Sequence, residues 1–229
     1  MKIKGKYHVK HALIVNQESL QKIILILNNF FPNAKMSFTA TLKNDADVRF
    51  DSAEELYLYD NVGDYRILVL SLETEKYSSY RLIFNSRHGD NSYFIKWVAV
   101  ISYHLDDKMK IISLEAQLKD AFQEMKPAFL YNLISIIPFT PFRTIIVIYW
   151  ALYFIFNWYE NIVFIIPTIV IVIWTFFDIF QKSLFPSLQF AIGKGVGRIK
   201  NRENVRKALV GLVVGIITVG GTILSLLKT

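Results

Sequence analysis

Cysteine is absent from this chain, which excludes disulfide bonds and thiolate metal sites. Histidine is scarce, and His8 and His11, three residues apart, lack a carboxylate spaced to complete a metal centre with them. The sequence also lacks a Gly-x-Ser-x-Gly nucleophile elbow and a Walker-type phosphate loop. These absences predict a protein that is not an enzyme and that uses no metal and no cofactor.

Acidic residues are few in the second half of the chain. Residues 129–229 hold nine Lys and Arg but only three Asp and Glu, whereas residues 1–128 hold 17 and 16. The net charge of +7 therefore lies mostly in the C-terminal half. A basic chain is typical of nucleic-acid binding, but here the charge lies between apolar segments, where membrane topology also explains it.

Long apolar runs occupy the same half, over residues 144–156, 162–180 and 208–227. Twenty apolar residues in a helix span about 30 Å, the thickness of a bilayer core. We therefore predict a transmembrane hairpin over 144–181 and a third transmembrane helix over 208–227. The preceding segment, 127–143, contains prolines and is interpreted as an interfacial elbow, with the start of a longer, kinked first span as the alternative.

The link between the second and third apolar runs, residues 182–207, is basic, with Glu203 as its only acid. The positive-inside rule places such a loop in the cytoplasm. This topology predicts a multi-pass membrane protein whose N-terminal domain is cytoplasmic and whose C-terminus lies outside.

Residues 1–126, termed the head, alternate strand-like runs with polar turns. Two amphipathic helices are predicted, over 16–31 and 105–126, together with a short helix over 52–59. The predicted strands cover 36–42, 47–50, 65–73, 79–85 and 93–103. The predicted fold class is an α+β cytoplasmic domain, an antiparallel meander sheet with two main helices, followed by an all-α membrane domain of three transmembrane helices.

The last apolar run carries small or hydroxylated residues at steps of three and four, which place them on one helix face. They are Gly211, Gly215, Thr218, Thr222 and Ser225. The GxxxG pair is typical of close helix packing, whereas the hydroxyl groups also suit the lining of a pore, and both interpretations stay open. Asp178, near the end of the second run, either pairs with Lys182 at the interface or lies at the mouth of such a pore.

The basic segment supplies a candidate polyanion site. Its cationic candidates are Lys194, Arg198, Lys200, Arg202, Arg206 and Lys207. They either contact anionic lipid or bind a phosphate-bearing ligand. The glycine-rich stretch at their start, residues 193–198, is interpreted as a flexible linker because no phosphate-loop ending follows it.

A second set of candidates lies in the head, where aromatic and basic residues alternate. Tyr80, Arg81, Arg87 and Lys96 are possible contacts for single-stranded nucleic acid, which stacks on aromatic rings beside cations. Because Tyr80 shares a strand face with Leu82 and Phe84, packing in the core is the favoured interpretation for its ring.

Several short segments carry a resemblance to a known family. They are Phe50-Asp51-Ser52-Ala53-Glu54-Glu55-Leu56, Asn61, Leu184-Phe185-Pro186, Phe190-Ala191-Ile192-Gly193-Lys194-Gly195, Arg198 and Arg202. With the predicted architecture, they resemble membrane effectors of bacterial anti-phage defence, in particular the channel-forming effectors of the Hailong system. The resemblance implies a tetrameric ion channel in the bacterial inner membrane, held shut by single-stranded DNA oligomers that a partner nucleotidyltransferase makes. It fixes no ligand residue in this chain.

The predicted function is therefore a homo-oligomeric inner-membrane ion channel effector. A nucleic-acid or nucleotide ligand would gate it through the cytoplasmic domain, and opening would depolarise the membrane in anti-phage defence. The alternative is a non-conducting, membrane-anchored binding module that recruits a partner or lipid.

Overall fold

The computed structural model describes residues 3–32, 34–74, 80–86, 97–136, 148 and 183–226. Six of its strands form one antiparallel sheet in the order β1-β7-β6-β5-β3-β4. Their bounds are β1 Ile3–Val9, β3 Met36–Leu42, β4 Asp47–Phe50, β5 Ile67–Thr74, β6 Tyr80–Asn85 and β7 Ala99–Leu105. The predicted α+β head with an antiparallel sheet is confirmed.

The helices α1, Gln17–Phe30, and α3, Lys108–Glu124, pack against one another. Each begins at a side-chain cap: Asn16 accepts a hydrogen bond from the Ser19 amide at 2.8 Å, and Asp107 accepts one from the Met109 amide at 2.8 Å. Their apolar stripes enter the core because leucine and isoleucine recur at helical spacing. The buried residues are Leu20, Ile23, Ile26 and Leu27 of α1, and Leu114, Leu118, Ala121 and Phe122 of α3.

A second, two-stranded sheet joins the two ends of the chain. Strand β2, Leu13–Asn16, pairs in parallel with β8, Leu188–Ala191, and the pairing aligns Leu13 with Leu188. Leu188, Phe190 and Ile192 are buried in the same core as the sheet and α1. The segment predicted as a basic loop therefore contributes a strand to the head.

The chain leaves β8 through a sharp turn and enters α5, Gly195–Leu226. Gly193 has a φ of +53°, and a Cβ atom there would lie 2.1 Å from the carbonyl oxygen of Tyr59. Asn61 holds the other side of the turn, donating to the Phe190 carbonyl at 3.0 Å and accepting from the Ile67 amide at 2.8 Å. The glycine-rich stretch is thus part of a packed turn and the first turn of a helix.

Two short helices complete the described elements. Helix α2, Ala53–Leu58, is capped by Ser52 and lies within the short helix predicted over 52–59. Helix α4, Phe129–Ile136, lies within the predicted elbow, whose remaining residues, 137–143, are outside the described part of the chain. The strand predicted to begin at residue 93 begins at Ala99, and β1 and β2 were not predicted.

The predicted membrane domain of three transmembrane helices is wrong. Within the described ranges, no helix combines the length and the apolarity that crossing a membrane requires. The predictions of a membrane protein, an ion channel and a multi-pass inner-membrane location are corrected by the same finding. Residues 208–226 are the C-terminal part of α5, which begins in the basic segment, so the apolar run is not a helix of its own. Most of the predicted hairpin, 144–147 and 149–181, lies outside the described residues.

Candidate anion-binding pocket

A cavity of about 220 Å³ lies where the start of β5 meets β8 and the first turns of α5. Its polar lining consists of Arg66, Ser86, Ser135, Ser187, Gln189, Arg198 and Arg202. Ile67, Phe185 and Phe190 contribute apolar wall. Segments distant in sequence therefore form one pocket, which we call the arginine pocket.

Local structure brings the three arginines to this cavity. Arg66 follows a single 3-10 turn, Gly63–Tyr65, and is placed at the start of β5 by the bond between the Ile67 amide and Asn61. Arg198 and Arg202 are four residues apart in the first turns of α5, so they share one face of that helix. The Gly193 turn sets where α5 begins and hence where this face points.

No carboxylate among the described residues neutralises the charges of these arginines. Among the described residues, no ion pair involves Arg66, Arg198 or Arg202. Burial, with the charges of Arg202 and Arg66, lowers the pKa of Arg198 to about 10. Burial and the charge of Arg66 likewise lower the pKa of Arg202. A half-buried cluster of positive charges favours the binding of an anion in the cavity.

Two guanidinium groups also have unused hydrogen-bond donors. The Nε atoms of Arg66 and Arg198 are buried and have no hydrogen-bond partner among the described residues. Buried N–H groups are nearly always paired in folded proteins, because an unpaired donor loses its bond to water and gains nothing in return. Ligand oxygens in the pocket would supply the missing acceptors.

The third arginine of α5, Arg206, has a packing role. The Arg206 guanidinium lies over the Tyr131 ring, 4.7 Å from its centroid, and 5.8 Å from the centroid of Phe185. Its Nη1 also donates to the Leu184 carbonyl at 3.5 Å. Arg206 therefore ties α5 to α4 and to the segment before β8.

The structure divides the six predicted polyanion-binding residues. Arg198 and Arg202 meet in the arginine pocket, whereas Lys200 is exposed on α5. Lys194 pairs with Asp60 at 2.8 Å, and Lys207 pairs with Glu203 at 2.9 Å, both at exposed positions. The lysines therefore lie outside the pocket.

Of the head candidates, Tyr80 and Arg81 do not line this pocket. Tyr80 is 5% exposed and its ring lies 4.9 Å from that of Phe31, so it is a core residue. Arg81 pairs with Glu73 at 3.2 Å on the open face of the sheet. Arg87, Lys96 and Asp178 lie outside the described residues.

The predicted stripe lies on α5, far along the helix from the arginines. Gly211, Gly215 and Thr218 are exposed, and no atom lies within 4 Å of a Cβ built on either glycine. Thr222 and Ser225 belong to the last turns of the same helix. None of these five positions lines the arginine pocket.

Arg66 and Gln189, which line the pocket, and Tyr131, which bonds to Gln189, were not predicted as site residues. Arg66 follows the polar turn at residues 61–64, but an arginine after a turn carries no signal of what lies opposite it. In the described part of the chain, no group of three or more His, Cys, Asp or Glu residues is placed to hold a metal ion.

Comparison with known proteins adds no further constraint, since no protein-family model, no curated protein and no solved structure matches this chain.

Proposed function

We propose that this protein is a binding module for a small phosphate-bearing ligand, which the arginine pocket holds. The observation that carries the proposal is the convergence of Arg66, Arg198 and Arg202 on one cavity without a carboxylate partner among the described residues. Guanidinium groups match phosphate oxygens in charge and in geometry, because each presents a planar fork of N–H donors.

The size of the cavity restricts the ligand. A volume of about 220 Å³ suits a single phosphate group with a small organic part, rather than a long polyanion lying along a surface groove. The ligand is therefore a small phosphate ester, up to the size of a mononucleotide, or the phosphate-bearing end of a longer chain. This agrees with the ligand class predicted from the sequence and makes no use of ion conduction.

Binding without catalysis is the activity that this lining supports. The described side chains around the cavity are arginine, serine, glutamine and apolar residues. None is a carboxylate, a histidine or a lysine, the usual general bases of enzymes. Self-association, a partner nucleotidyltransferase and recruitment of other proteins or lipid stay predictions.

The test is titration calorimetry of the full chain with inorganic phosphate and with adenosine 5′-monophosphate. A hydrogen bond between charged partners contributes about 1.5–3 kcal/mol, which is a factor of ten or more in Kd. We expect Arg66→Gln and Arg198→Gln each to weaken binding at least tenfold, and Lys200→Gln, on the exposed side of α5, to change it less than twofold. Equal affinities in all four proteins would contradict the proposal.

A further inference from the structure

Gln189 lies at the centre of β8 and faces the same cavity as the three arginines. It is 3% exposed, which is unusual for a glutamine because its carboxamide needs partners for both its oxygen and its nitrogen. Only the nitrogen has one here. The carboxamide oxygen, Oε1, is buried without a hydrogen-bond partner in the described part of the chain.

Tyr131 fixes the direction in which this carboxamide points. The Tyr131 hydroxyl donates to the Pro186 carbonyl oxygen at 2.7 Å, and a carbonyl oxygen can only accept. The tyrosine oxygen is therefore left as an acceptor, and it takes the hydrogen bond from Gln189 Nε2. A flipped carboxamide would place two acceptors against each other, so Oε1 is held as the unpaired atom.

The arginine pocket thus offers two kinds of unused hydrogen-bonding atoms. Arg66 and Arg198 present unpaired donors, and Gln189 presents an unpaired acceptor. A ligand that forms hydrogen bonds with all three of these atoms needs an anionic group and, beside it, an N–H or O–H donor. A phosphate monoester near pH 7 is mostly a dianion, and three arginines favour that form, so its own oxygens carry no proton to donate.

We infer that Gln189 selects a nucleoside phosphate whose base carries an amino group, with the amino group donating to Oε1 of Gln189. Ile67, Phe185 and Phe190 form an apolar wall against which a flat base can pack without competition from water. This inference depends on the proposed function, because the phosphate must first occupy the arginine pocket. Gln189 is then a specificity-determining residue, since a site built to bond a donor rejects the analogue that lacks it.

Three matched pairs of ligands test the selectivity. Each pair differs by one amino group: adenosine against purine riboside, guanosine against inosine, and cytidine against 2-pyrimidinone riboside, all as 5′-monophosphates. With the wild-type chain, we expect at least one amino-bearing member to bind tenfold or more tightly than its partner. With Gln189→Met, which keeps the length of the side chain but removes the acceptor, that ratio should fall to about one.

Thermal unfolding separates the effect of Gln189 from damage to the fold. We expect Gln189→Met to keep a single cooperative transition, and Lys200→Gln, outside the pocket, to keep both phosphate binding and the amino preference. Tyr131→Phe is the second variant: it frees the carboxamide to turn, so it should also reduce the amino preference while retaining phosphate binding.

The possible failures are distinguishable. If wild-type protein binds phosphate but no pair differs, or if the preference survives in both variants, the role assigned to Gln189 is wrong and the proposed function stands. If the wild type binds neither phosphate nor any of the six nucleotides, the proposed function is wrong and the inference falls with it.

Discussion

At the scale of single residues, the ligand-binding groups oppose the stability of the protein that carries them. Arg198 and Arg202 each experience burial and the charges of neighbouring arginines, and both effects lower their pKa. An anion in the pocket offsets both the cost of burying these charges and the repulsion between them. The side chains that give affinity are therefore a liability in the ligand-free state.

Replacing Arg198 by methionine should separate the effect of this side chain on stability from its effect on ligand binding. Without ligand, Arg198→Met is expected to raise the free energy of unfolding by up to about 1 kcal/mol, a value discounted for the solvent screening of a half-buried group. Binding of phosphate should be lost in the same variant. Urea denaturation checks the sign, with Lys200→Met, expected within about 0.5 kcal/mol of the wild type, as the exposed control. A destabilised Arg198→Met would contradict this account of the cluster.

His11, elsewhere in the head, makes the folding stability depend on pH. Burial lowers the pKa of His11, and the charge of Lys126 lowers it further. A hydrogen bond between Nε2 and the Phe122 carbonyl oxygen, which lie 3.2 Å apart, opposes the effect of burial. Below the unfolded value of about 6.5, the unfolded chain binds more protons than the folded one, so folding loses stability as the pH falls.

The expected result is a smaller unfolding free energy at pH 5.5 than at pH 7.5, with part of the change assignable to His11. His11→Gln retains a donor for the Phe122 carbonyl but does not titrate. Denaturation at the two pH values gives the unfolding free energy of the wild type and of this variant. Between pH 7.5 and pH 5.5, the wild type should lose more unfolding free energy than His11→Gln. An unchanged difference would remove His11 from the pH response.

At the scale of elements, the Gly193 turn determines where α5 starts and so where two of the three arginines lie. Its positive φ and the nearby Tyr59 carbonyl leave no room for a Cβ atom. Gly197, four residues later, lies inside α5 with nothing within 4 Å of its own Cβ position. The two glycines therefore form a matched pair with opposite expectations.

Gly193→Ala should lower the free energy of unfolding by about 1–3 kcal/mol and weaken phosphate binding, because the start of α5 must move. Gly197→Ala should raise that energy by about 0.5–1 kcal/mol, since alanine restricts the unfolded chain and favours a helix. Thermal unfolding and phosphate titration of both variants test the contrast. A neutral Gly193→Ala would show that the turn is not needed in this form.

Elements with local signals were predictable from sequence, and those with distant partners were not. The helices predicted over 16–31, 52–59 and 105–126 match α1, α2 and α3, because capping and periodicity are read within a few residues. The pairing of β2 with β8 depends on residues at opposite ends of the chain. The site divided in the same way: basicity indicated Arg198 and Arg202, but only the fold shows that Arg66 faces them and that Lys194 is paired with Asp60.

At the scale of the whole molecule, residues outside 1–126 complete the head. Its core takes Leu188, Phe190 and Ile192 from beyond α4. A boundary at residue 126, placed by composition, separates these side chains from the sheet that they cover. Composition records the local balance of charge and hydropathy and carries no information on which strand pairs with which.

A truncation series tests this organisation. The fragment 1–126 is expected to lack a cooperative unfolding transition, because it exposes the surfaces of Leu13 and Val15 that β8 covers. A chain ending at residue 207 keeps β8 and the first turns of α5, so it should unfold cooperatively and bind phosphate. Circular dichroism melting distinguishes the two, and a sharp transition in the shorter fragment would show that the core closes without β8.

The parallel pairing of β2 and β8 also sets the order of events during synthesis. The N-terminal strand leaves the ribosome long before its partner is translated, and at about 5–20 residues per second the interval is roughly ten seconds or more. Leu13 and Val15 stay uncovered throughout that interval, within reach of chaperones and of other nascent chains. The arginine pocket is completed only after Arg202 has been added, so the ligand meets a finished site only once nearly all of the described chain exists.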